Sequence, residues 1–422
     1  MKKAVIFAPF WRQAGHVGNN RVDRFVRWLV EDGYYIVMVR AGSVDAIRQE
    51  IWGEEITVHD RLGLYRDMEP GTTTVSLRKP NKLRRALAYW LFNPDPTVVW
   101  AKAAARHPAV LRAIEGANFI LSSSPPESAH VGAWLLSRRT GTPHIVDMRD
   151  GWLDEPLKPL LRSSAIRRWL EGRMEARILR DAKAIQVTSD VWKELLCKRY
   201  PALAHKVQVL TNGYPKNMPE LPLRQPKGPE EELVLIHAGR FIGSRLTQLP
   251  DLLLEPLLQN LSTQPAKGVI RLIGSLSDDE MKIIEPFRLR FQEIGWRIEC
   301  LGSMPRHELL QLLPQADGLL LLSASYAAIP SKLFEYIPTG KSILVVTERR
   351  SATWRVCEKL PQAFLVDIDN DGATSVAIDF FNGIKSPSII GRRPEEFSEA
   401  YLSGLMHRIS SGLWVSNKGG DQ

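Results

Sequence analysis

The segment AVIFAPFWRQAGHVGNNRVDRFVRWLVEDGYYIVMV, residues 4–39, decides the fold class. Two short apolar runs, 4–8 and 35–39, flank a segment whose apolar residues recur at helical spacing. Those residues are Val22, Phe25, Val26, Leu29 and Val30. Gly33 then suits the end of a helix. The pattern predicts a β-α-β unit, and its crossover implies that the two strands are parallel.

The alternation of strands and helices continues outward from this unit. Further short apolar runs suited to strands buried on both faces lie at 118–122, 144–148, 184–188 and 206–210. After a proline-rich and charged segment the runs resume at 233–239, 269–274, 298–301, 318–322 and 342–346. We therefore expect two successive open parallel sheets in an α/β protein.

The domain boundaries follow from this restart. Residues 1–215 are predicted to form a first Rossmann-like, doubly wound domain, and 216–232 a semi-rigid linker. Residues 233–390 form the second such domain, and 391–422 a C-terminal helix that packs back on the first domain, with a polar tail. A chain of 422 residues suits two domains of ordinary size.

Composition narrows the class of protein. No apolar run approaches the roughly 18 residues of a membrane span, and the start of the chain reads as a buried strand rather than a secretion signal. Cys197, Cys300 and Cys357 have no metal-ligand or redox spacing, so a cytoplasmic protein without a metal or cofactor is expected. The net charge of +9 favours a polyanionic partner: nucleic acid, anionic lipid or a phosphorylated substrate.

The segment from Tyr326 to Val346 is the strongest local signal for a ligand site. It follows a buried strand and predicts a helix that begins near Pro330 and Ser331, where free N–H groups would suit a diphosphate. Lys332 would add positive charge, and Glu335 could accept hydrogen bonds from ribose hydroxyls. The alternative is a solvated lysine and a glutamate that caps its own helix.

Several segments resemble, in order, the GT4-like retaining GT-B glycosyltransferases of bacterial surface-polysaccharide type. They are 331–336, 122–130 followed by 144–152, 93–96 with Trp100, 211–214 and 237–240. The resemblance covers most of residues 4–346. It implies two facing Rossmann-like domains with a deep cleft between them, the first binding the acceptor and the second the nucleotide-sugar donor.

The resemblance also implies roles for individual residues. Donor-binding residues would be Arg240, Arg245, Ser331, Lys332, Leu333 and Glu335. Catalytic candidates are Asp150, Arg149 and His16, while Gly15, Gly18 and Asn19 belong to a loop near the acceptor. Asp150 could accept a hydroxyl proton or stabilise developing positive charge. The alternative is a structural ion pair of Arg149 or Asp150 with a neighbouring helix, and Asp147 is expected to be structural.

Three positions depart from the pattern of the family. A glutamate that typically contacts the donor sugar would fall on Ala327, and an aspartate that often follows the Asn-Gly turn is replaced by Pro215. The lysine expected shortly after Arg240 is represented by Arg245, which binds phosphate with different geometry. The sugar and the mechanism are therefore left open.

These residues predict transfer of a sugar from a nucleotide diphosphate sugar to a lipid-linked or polysaccharide acceptor, without nucleic acid as a partner. Basic and aromatic segments at 78–92 and 162–173 suit peripheral attachment to the inner face of the cell membrane, or ordinary amphipathic helices. Two other functions remain open: a sugar-nucleotide epimerase of the same double fold, and a binding or scaffolding protein with a degenerate donor site.

Overall fold

The computed structural model describes residues 1–13, 19–63, 91–154, 164–215, 231–239, 241, 250–261, 267–368, 373–385 and 391–412. The chain divides into two compact units. The first contains Met1–Thr188, Trp192–Leu210 and the residues from Ser403 onward, and the second contains Ser189–Val191 and Thr211–Leu402. Most of the predicted linker, 216–230, lies outside the described residues.

The first unit is built on an eight-stranded sheet. Its strands are β1 (Lys2–Phe7), β2 (Tyr34–Gly42), β3 (Ala46–Glu50), β4 (Gly53–His59), β5 (Phe119–Ser124), β6 (His144–Met148), β7 (Ala184–Val187) and β8 (Val207–Val209). Their order is β3-β4-β2-β1-β5-β6-β7-β8, so the direction of strand addition reverses between β1 and β5. The expectation of a purely parallel sheet was wrong at one edge, because β3 pairs antiparallel with β4.

Helices cover this sheet. They are α1 (Asn19–Glu31), α2 (Val98–Ala104), α3 (Pro108–Ala113), α4 (Ser128–Thr140), α5 (Ala165–Asp181) and α6 (Asp190–Arg199). The helix predicted between the first two strands is α1, which buries Val22, Phe25 and Leu29. Gly33 follows it with a φ of 79°, a conformation that suits glycine at a helix end.

The second unit is built on a six-stranded parallel sheet. Its strands are β9 (Leu233–Ala238), β10 (Gly268–Ile273), β11 (Trp296–Gly302), β12 (Gly318–Ser323), β13 (Ser342–Thr347) and β14 (Ala363–Asp367), in the order β11-β10-β9-β12-β13-β14. The described helices are α7 (Asp251–Leu261), α8 (Asp278–Glu293), α9 (Arg306–Leu312), α10 (Leu333–Tyr336), α11 (Ala352–Cys357), α12 (Ala373–Lys385) and α13 (Glu399–Ser410).

The strand order of the second sheet fixes where a ligand can bind. Chain connections leave β9 in one direction towards β10 and later return on its other side to β12. Such a reversal opens a crevice at the carboxyl ends of the two central strands, which is where open α/β sheets bind ligands. Apolar side chains of β9 and β12, such as Leu235, Ile236 and Leu320, are fully buried and hold these strands in place.

The last described helix, α13, is divided between the two units. Its first residues belong to the second unit, where the hydroxyl of Tyr214 donates to the Pro394 carbonyl just upstream. From Ser403 it belongs to the first unit, where His407 Nδ1 lies 2.9 Å from a carboxylate oxygen of Asp32. In the described part of the chain, every helix is too short or too polar to cross a membrane.

Candidate functional site

Glycine turns lie at the carboxyl ends of β9 and β10. Gly239 has a φ of 94° and its N–H donates to the Ile273 carbonyl at 2.6 Å. Gly274 has a φ of 149°, and a Cβ placed on it would lie 2.9 Å from the backbone of Gly239. Only glycine fits both the conformation and the space at Gly274. The turns therefore present main chain without side chains at the crevice between β9 and β12.

His237 is the buried polar residue of β9 nearest this crevice. Its Nδ1 lies 3.1 Å from the Leu320 carbonyl, and its ring stacks on Phe241 with centroids 4.1 Å apart. A carbonyl can only accept, so Nδ1 carries the proton and Nε2 keeps a free lone pair. Burial lowers the pKa of His237 well below its usual range, and the charge of Lys332 adds to this effect.

Lys332 points its amine at that lone pair. Lys332 Nζ lies 3.3 Å from His237 Nε2, and it is 3.6 Å from the place that a Cβ on Gly239 would occupy. Burial lowers the pKa of Lys332 to about 7, although the negative charge of Glu335 acts in the opposite direction. The side chain of Lys332 is half-buried rather than fully solvated, and its amine lies where the sheet reverses.

The segment that carries Lys332 is a turn followed by a very short helix. Helix α10 has four residues and begins at Leu333, whereas the sequence predicted a helix from Pro330 and Ser331 to about residue 338. Proline at 330 and 338 confines the helical stretch, so a long helix dipole does not contribute here. Leu333 is fully buried, and Tyr336 accepts a hydrogen bond from Ala238 N at 2.8 Å. These two residues anchor the segment to the sheet.

Glu335 is held by an arginine that the sequence did not single out. Arg306 Nε on α9 donates to Glu335 Oε1 at 2.7 Å, with the Glu335 side chain 17% exposed and that of Arg306 54% exposed. The capping alternative for Glu335 was wrong, because among the described residues its carboxylate pairs with Arg306 rather than with its own first helical turn. The carboxylate remains within reach of solvent.

At the position where the family carries a glutamate, this chain has a buried alanine. Ala327 is 6% exposed, and its carbonyl accepts a hydrogen bond from Ser189 Oγ at 2.6 Å. The next residue, Ala328, donates its N–H to Ser325 Oγ at 2.9 Å. A sugar bound near Lys332 would therefore meet main chain and small side chains here, and no carboxylate at 327.

In the first unit, Arg149 binds main-chain carbonyls. Its Nε donates to Ser124 O at 2.7 Å and its Nη2 to Pro125 O at 2.9 Å, while its own carbonyl accepts from Thr188. Burial lowers the pKa of Arg149 even though Asp150 and Asp147 lie near it. Within the described part of the chain these hydrogen bonds go to main-chain carbonyls, so the guanidinium of Arg149 fixes the turn after β5.

Asp150 and Asp147 differ in environment although both belong to the end of β6. Asp147 is fully buried, where Arg21 Nη2 donates to it at 2.6 Å and Ser123 Oγ at 2.7 Å, in agreement with a structural role. Asp150 is half-buried and lines a cavity of about 10 Å³ with Trp152 and Glu175. That cavity is too small for a sugar, since it accommodates about one water molecule.

The remaining predicted residues are only partly described. Asn19 begins α1, and its Nδ2 donates to the Gln13 carbonyl at 2.8 Å, which fixes the distance between the ends of the loop. Gly15, His16, Gly18, Arg240 and Arg245 lie outside the described residues, and their roles stay predictions.

Residue-level recognition missed His237 and Arg306. A single histidine inside the apolar strand Leu233–Ala238, two residues before Gly239, was an available signal for the first. Nothing in the local sequence distinguishes Arg306 from other surface arginines, because its contact with Glu335 joins residues on different elements.

Comparison with known proteins matches part of the chain to a known domain family. Residues 18–213 match the Glycosyl transferase 4-like domain. A search of the curated proteins gave no match.

Solved structures resemble the whole chain. The apo form of the lipopolysaccharide outer core galactosyltransferase WaaB has 14% identity and a TM-score of 0.56, covering 98% of this chain and 100% of that one. HepE of Anabaena, in complex with UDP, has 12% identity and a TM-score of 0.56, with coverage of 98% and 100%. The HepE complex with UDP-glucose is similar at 14% identity, a TM-score of 0.56 and coverage of 98% and 99%. At these identities the likeness establishes the fold. Together with the matched domain, it shows that residues 18–213 resemble the GT4-like glycosyltransferases and that the chain has the GT-B fold.

Proposed function

We propose that this glycosyltransferase moves a sugar from a nucleotide diphosphate sugar to a lipid-linked or polysaccharide acceptor in the synthesis of a cell-surface glycan. The observation that carries the proposal is the placement of a half-buried amine and a half-buried carboxylate in one short segment after β12. Lys332 Nζ lies beside His237 and Gly239, and Glu335 follows it within the same short segment. The amine of Lys332 can bind a diphosphate as a cation. The carboxylate of Glu335 can accept hydrogen bonds from the two hydroxyls of a ribose.

Each donor-site residue has a chemical role in this proposal. Lys332, with Arg240 and Arg245, balances the charge of the leaving diphosphate, and Glu335 accepts hydrogen bonds from the ribose. Gly239 lets the phosphates approach the main chain closely because it lacks a side chain. Ser331 and Leu333 flank Lys332 and shape the turn that holds it. The similar structures support this assignment, since HepE was solved with UDP and with UDP-glucose.

We propose Asp150 as a catalytic residue of the first unit, with His16 and the loop of Gly15, Gly18 and Asn19 as residues that contact the acceptor. Asp150 is half-buried after β6 and can accept the proton of an acceptor hydroxyl or stabilise charge at the anomeric carbon. Transfer is proposed to need no metal ion, because cationic side chains stabilise the diphosphate, and retention of configuration follows from the family resemblance. Turnover unaffected by chelators and an NMR spectrum of the new linkage test these two points.

The acceptor proposal is supported by an exposed face on α5. Ile166 and Trp169 are 74% and 58% exposed, and the guanidinium of Arg173 lies 5.0 Å from the Trp169 ring centre. Arg167 does not belong to this face, because it is buried and pairs with Glu171. Apolar side chains beside arginines suit an anionic membrane surface on the cytoplasmic side. The other basic segment, 78–92, lies almost wholly outside the described residues.

A second function is favoured by Ala327. A chain that binds a nucleotide but transfers no sugar would tolerate a buried alanine where the family carries a sugar-contacting glutamate. Such a protein would serve as a binding or scaffolding component.

Calorimetry followed by a turnover assay tests both functions. Purified protein is titrated with UDP, GDP and their sugars, and then supplied with a donor and a membrane extract as acceptor source. The transferase proposal expects binding of one nucleotide class and release of free diphosphate that depends on the acceptor. Binding without release would favour the binding protein, while binding of no nucleotide would reject both functions. Conversion of the donor sugar without an acceptor would indicate an epimerase.

A further inference from the structure

The half-buried amine of Lys332 faces the buried imidazole of His237. His237 is 0% exposed, and its Nδ1–H is committed to the Leu320 carbonyl of the neighbouring strand. The ring cannot turn freely, because it is stacked on Phe241 with an angle of 8° between the planes. Its Nε2 lone pair therefore has a fixed direction, and Lys332 Nζ lies 3.3 Å away along it.

The carboxylate nearest to Lys332 is already shared. Glu335 is the acidic group that raises the proton affinity of Lys332, but it pairs with Arg306 at 2.7 Å. On the other side, the Tyr336 hydroxyl accepts from Ala238 N and is close to the Leu320 carbonyl at 3.4 Å. Among the described residues, the titratable groups around the amine are thus His237, Glu335 with Arg306, and Tyr336. A neutral imidazole is the hydrogen-bond acceptor for the amine.

We propose that His237 is a positioning residue which holds the amine of Lys332 beside Gly239, where no carboxylate of the described residues is paired with it, so that binding of the donor diphosphate takes up a proton at Lys332. The inference rests on the proposed function, because it concerns the same donor site. The proton comes from solvent and adds to the Nζ lone pair, and no covalent bond to the ligand forms or breaks.

The physical reason is the change in local charge. Burial holds the pKa of Lys332 at about 7 in the free protein, so roughly one molecule in ten carries the charge at pH 8. A diphosphate beside the amine favours the charged form and raises its pKa. Binding must then take up almost one proton at pH 8. The nucleotide contributes little to this uptake, because its phosphate is already ionised well above its second pKa of about 6.

Proton uptake is measured by titrating the full chain with UDP in buffers of different ionisation enthalpy at pH 8. The slope of the observed enthalpy against the buffer enthalpy gives the number of protons, and we expect close to one. Above pH 8 the affinity for UDP should fall about tenfold per pH unit, since each unit removes nine-tenths of the charged amine. If the chain binds GDP more tightly than UDP, GDP is used in the same titrations.

Two variants identify the group that takes up the proton. Lys332→Arg keeps a permanent charge, so it should bind UDP with little uptake and without the pH dependence. His237→Phe retains an aromatic ring against Phe241 but removes the acceptor, and we expect about tenfold weaker UDP binding. His237→Gln supplies a carbonyl acceptor in its place and should recover much of that affinity. Thermal unfolding of each variant separates a lost contact from a lost fold.

The outcomes distinguish this inference from the proposed function. Tight UDP binding without proton uptake at pH 8, in wild type as in Lys332→Arg, would overturn the inference and leave the transferase intact. Equal UDP affinity in His237→Phe, His237→Gln and wild type would overturn the positioning role of His237. Failure of the wild type to bind any nucleotide would reject the proposed function and this inference together.

Discussion

At the scale of single residues, the carboxylate of Glu335 has two competing partners. It is paired with Arg306 in the free protein, and the proposed ribose diol would bind the same oxygens. Replacing Glu335 with alanine removes hydrogen bonds to a charged group, each worth about 1.5–3 kcal/mol. Glu335→Ala should therefore weaken UDP binding about tenfold to hundredfold, as measured by calorimetry, with the unfolding temperature nearly unchanged.

Arg306→Gln is the matched control for this variant. It removes the same ion pair but keeps the carboxylate, and an exposed pair of this kind contributes about 1 kcal/mol or less. We expect UDP affinity within about threefold of wild type. If Glu335→Ala and Arg306→Gln bind UDP equally well, the carboxylate only serves the ion pair and does not hold a ribose.

A site residue could be predicted where the residues next to it in the chain form a recognisable motif. Lys332 and Glu335 lie in a short segment between two strands, where sequence order alone places them at the end of the sheet. His237 and Arg306 contact them from β9 and α9, so their roles arise only when distant segments meet. Sequence could not predict that the amine of Lys332 contacts His237, because this depends on strands separated by many residues.

Glu175 provides a residue-scale prediction about stability. Tyr200 Oη donates to its Oε2 at 2.7 Å, and in the described part of the chain its buried Oε1 has no hydrogen-bond partner. Burial raises the pKa of Glu175 to about 7. The folded state therefore binds a proton more tightly than the unfolded state, so this stabilisation is complete below about pH 4.5 and is lost as the pH rises through 7.

Glu175→Gln removes this titration. The wild type should lose stability relative to Glu175→Gln between pH 5 and pH 8, by roughly 3 kcal/mol for the shift involved. Unfolding midpoints in urea, measured for both proteins across that range, give the difference directly. A difference that stays constant with pH would show that Glu175 is ionised throughout.

At the scale of elements, the predictability of each strand followed its apolar content. The central strands β1, β5, β9 and β12 are nearly continuous apolar runs, and their predicted ends agree with the structure within about two residues. The edge strand β3 was missed because most of its side chains are polar and exposed. The prediction also missed β14, a five-residue strand with only a short apolar core.

The contact between α1 and β6 depends on one buried ion pair. Arg21 binds Asp147 through both Nε and Nη2, and it also donates to the Leu210 carbonyl at 2.8 Å. Arg21→Met would leave the Asp147 carboxylate buried with Ser123 as a hydrogen-bond donor. Loss of one partner of a buried pair costs about 3–5 kcal/mol. Urea unfolding should show this destabilisation.

Arg27→Met is the control on the same helix, because Arg27 is exposed. Its effect should be within about 0.5 kcal/mol of wild type. Equal stability of the two variants would mean that Asp147 is neutral or satisfied by other groups in the folded protein.

At the scale of the whole molecule, both units present the same opportunity to bind a ligand. Each sheet reverses its direction of strand addition once, between β1 and β5 in the first unit and between β9 and β12 in the second. The first reversal follows β1, and the segment after β12 at the second carries Lys332 and Glu335. The similar structures cover nearly the full length of the chain, so both units belong to the shared fold.

The net charge of +9 and the exposed face of α5 together lead to a prediction about membranes. Vesicles containing anionic lipid should bind the protein, and neutral vesicles should bind it weakly. Trp169→Ser removes an apolar anchor, and Arg173→Gln removes a charge worth about 1 kcal/mol near the surface, which is about fivefold in partitioning. Both variants should reduce flotation with anionic vesicles, and added salt should reduce the effect of Arg173→Gln, since salt screens surface charge.

Leu289→Ser is the control, because Leu289 is 61% exposed on α8 of the other unit and should not affect flotation. If Trp169→Ser and Leu289→Ser float as well as the wild type, the face of α5 does not contact the membrane, and attachment must depend on another part of the chain.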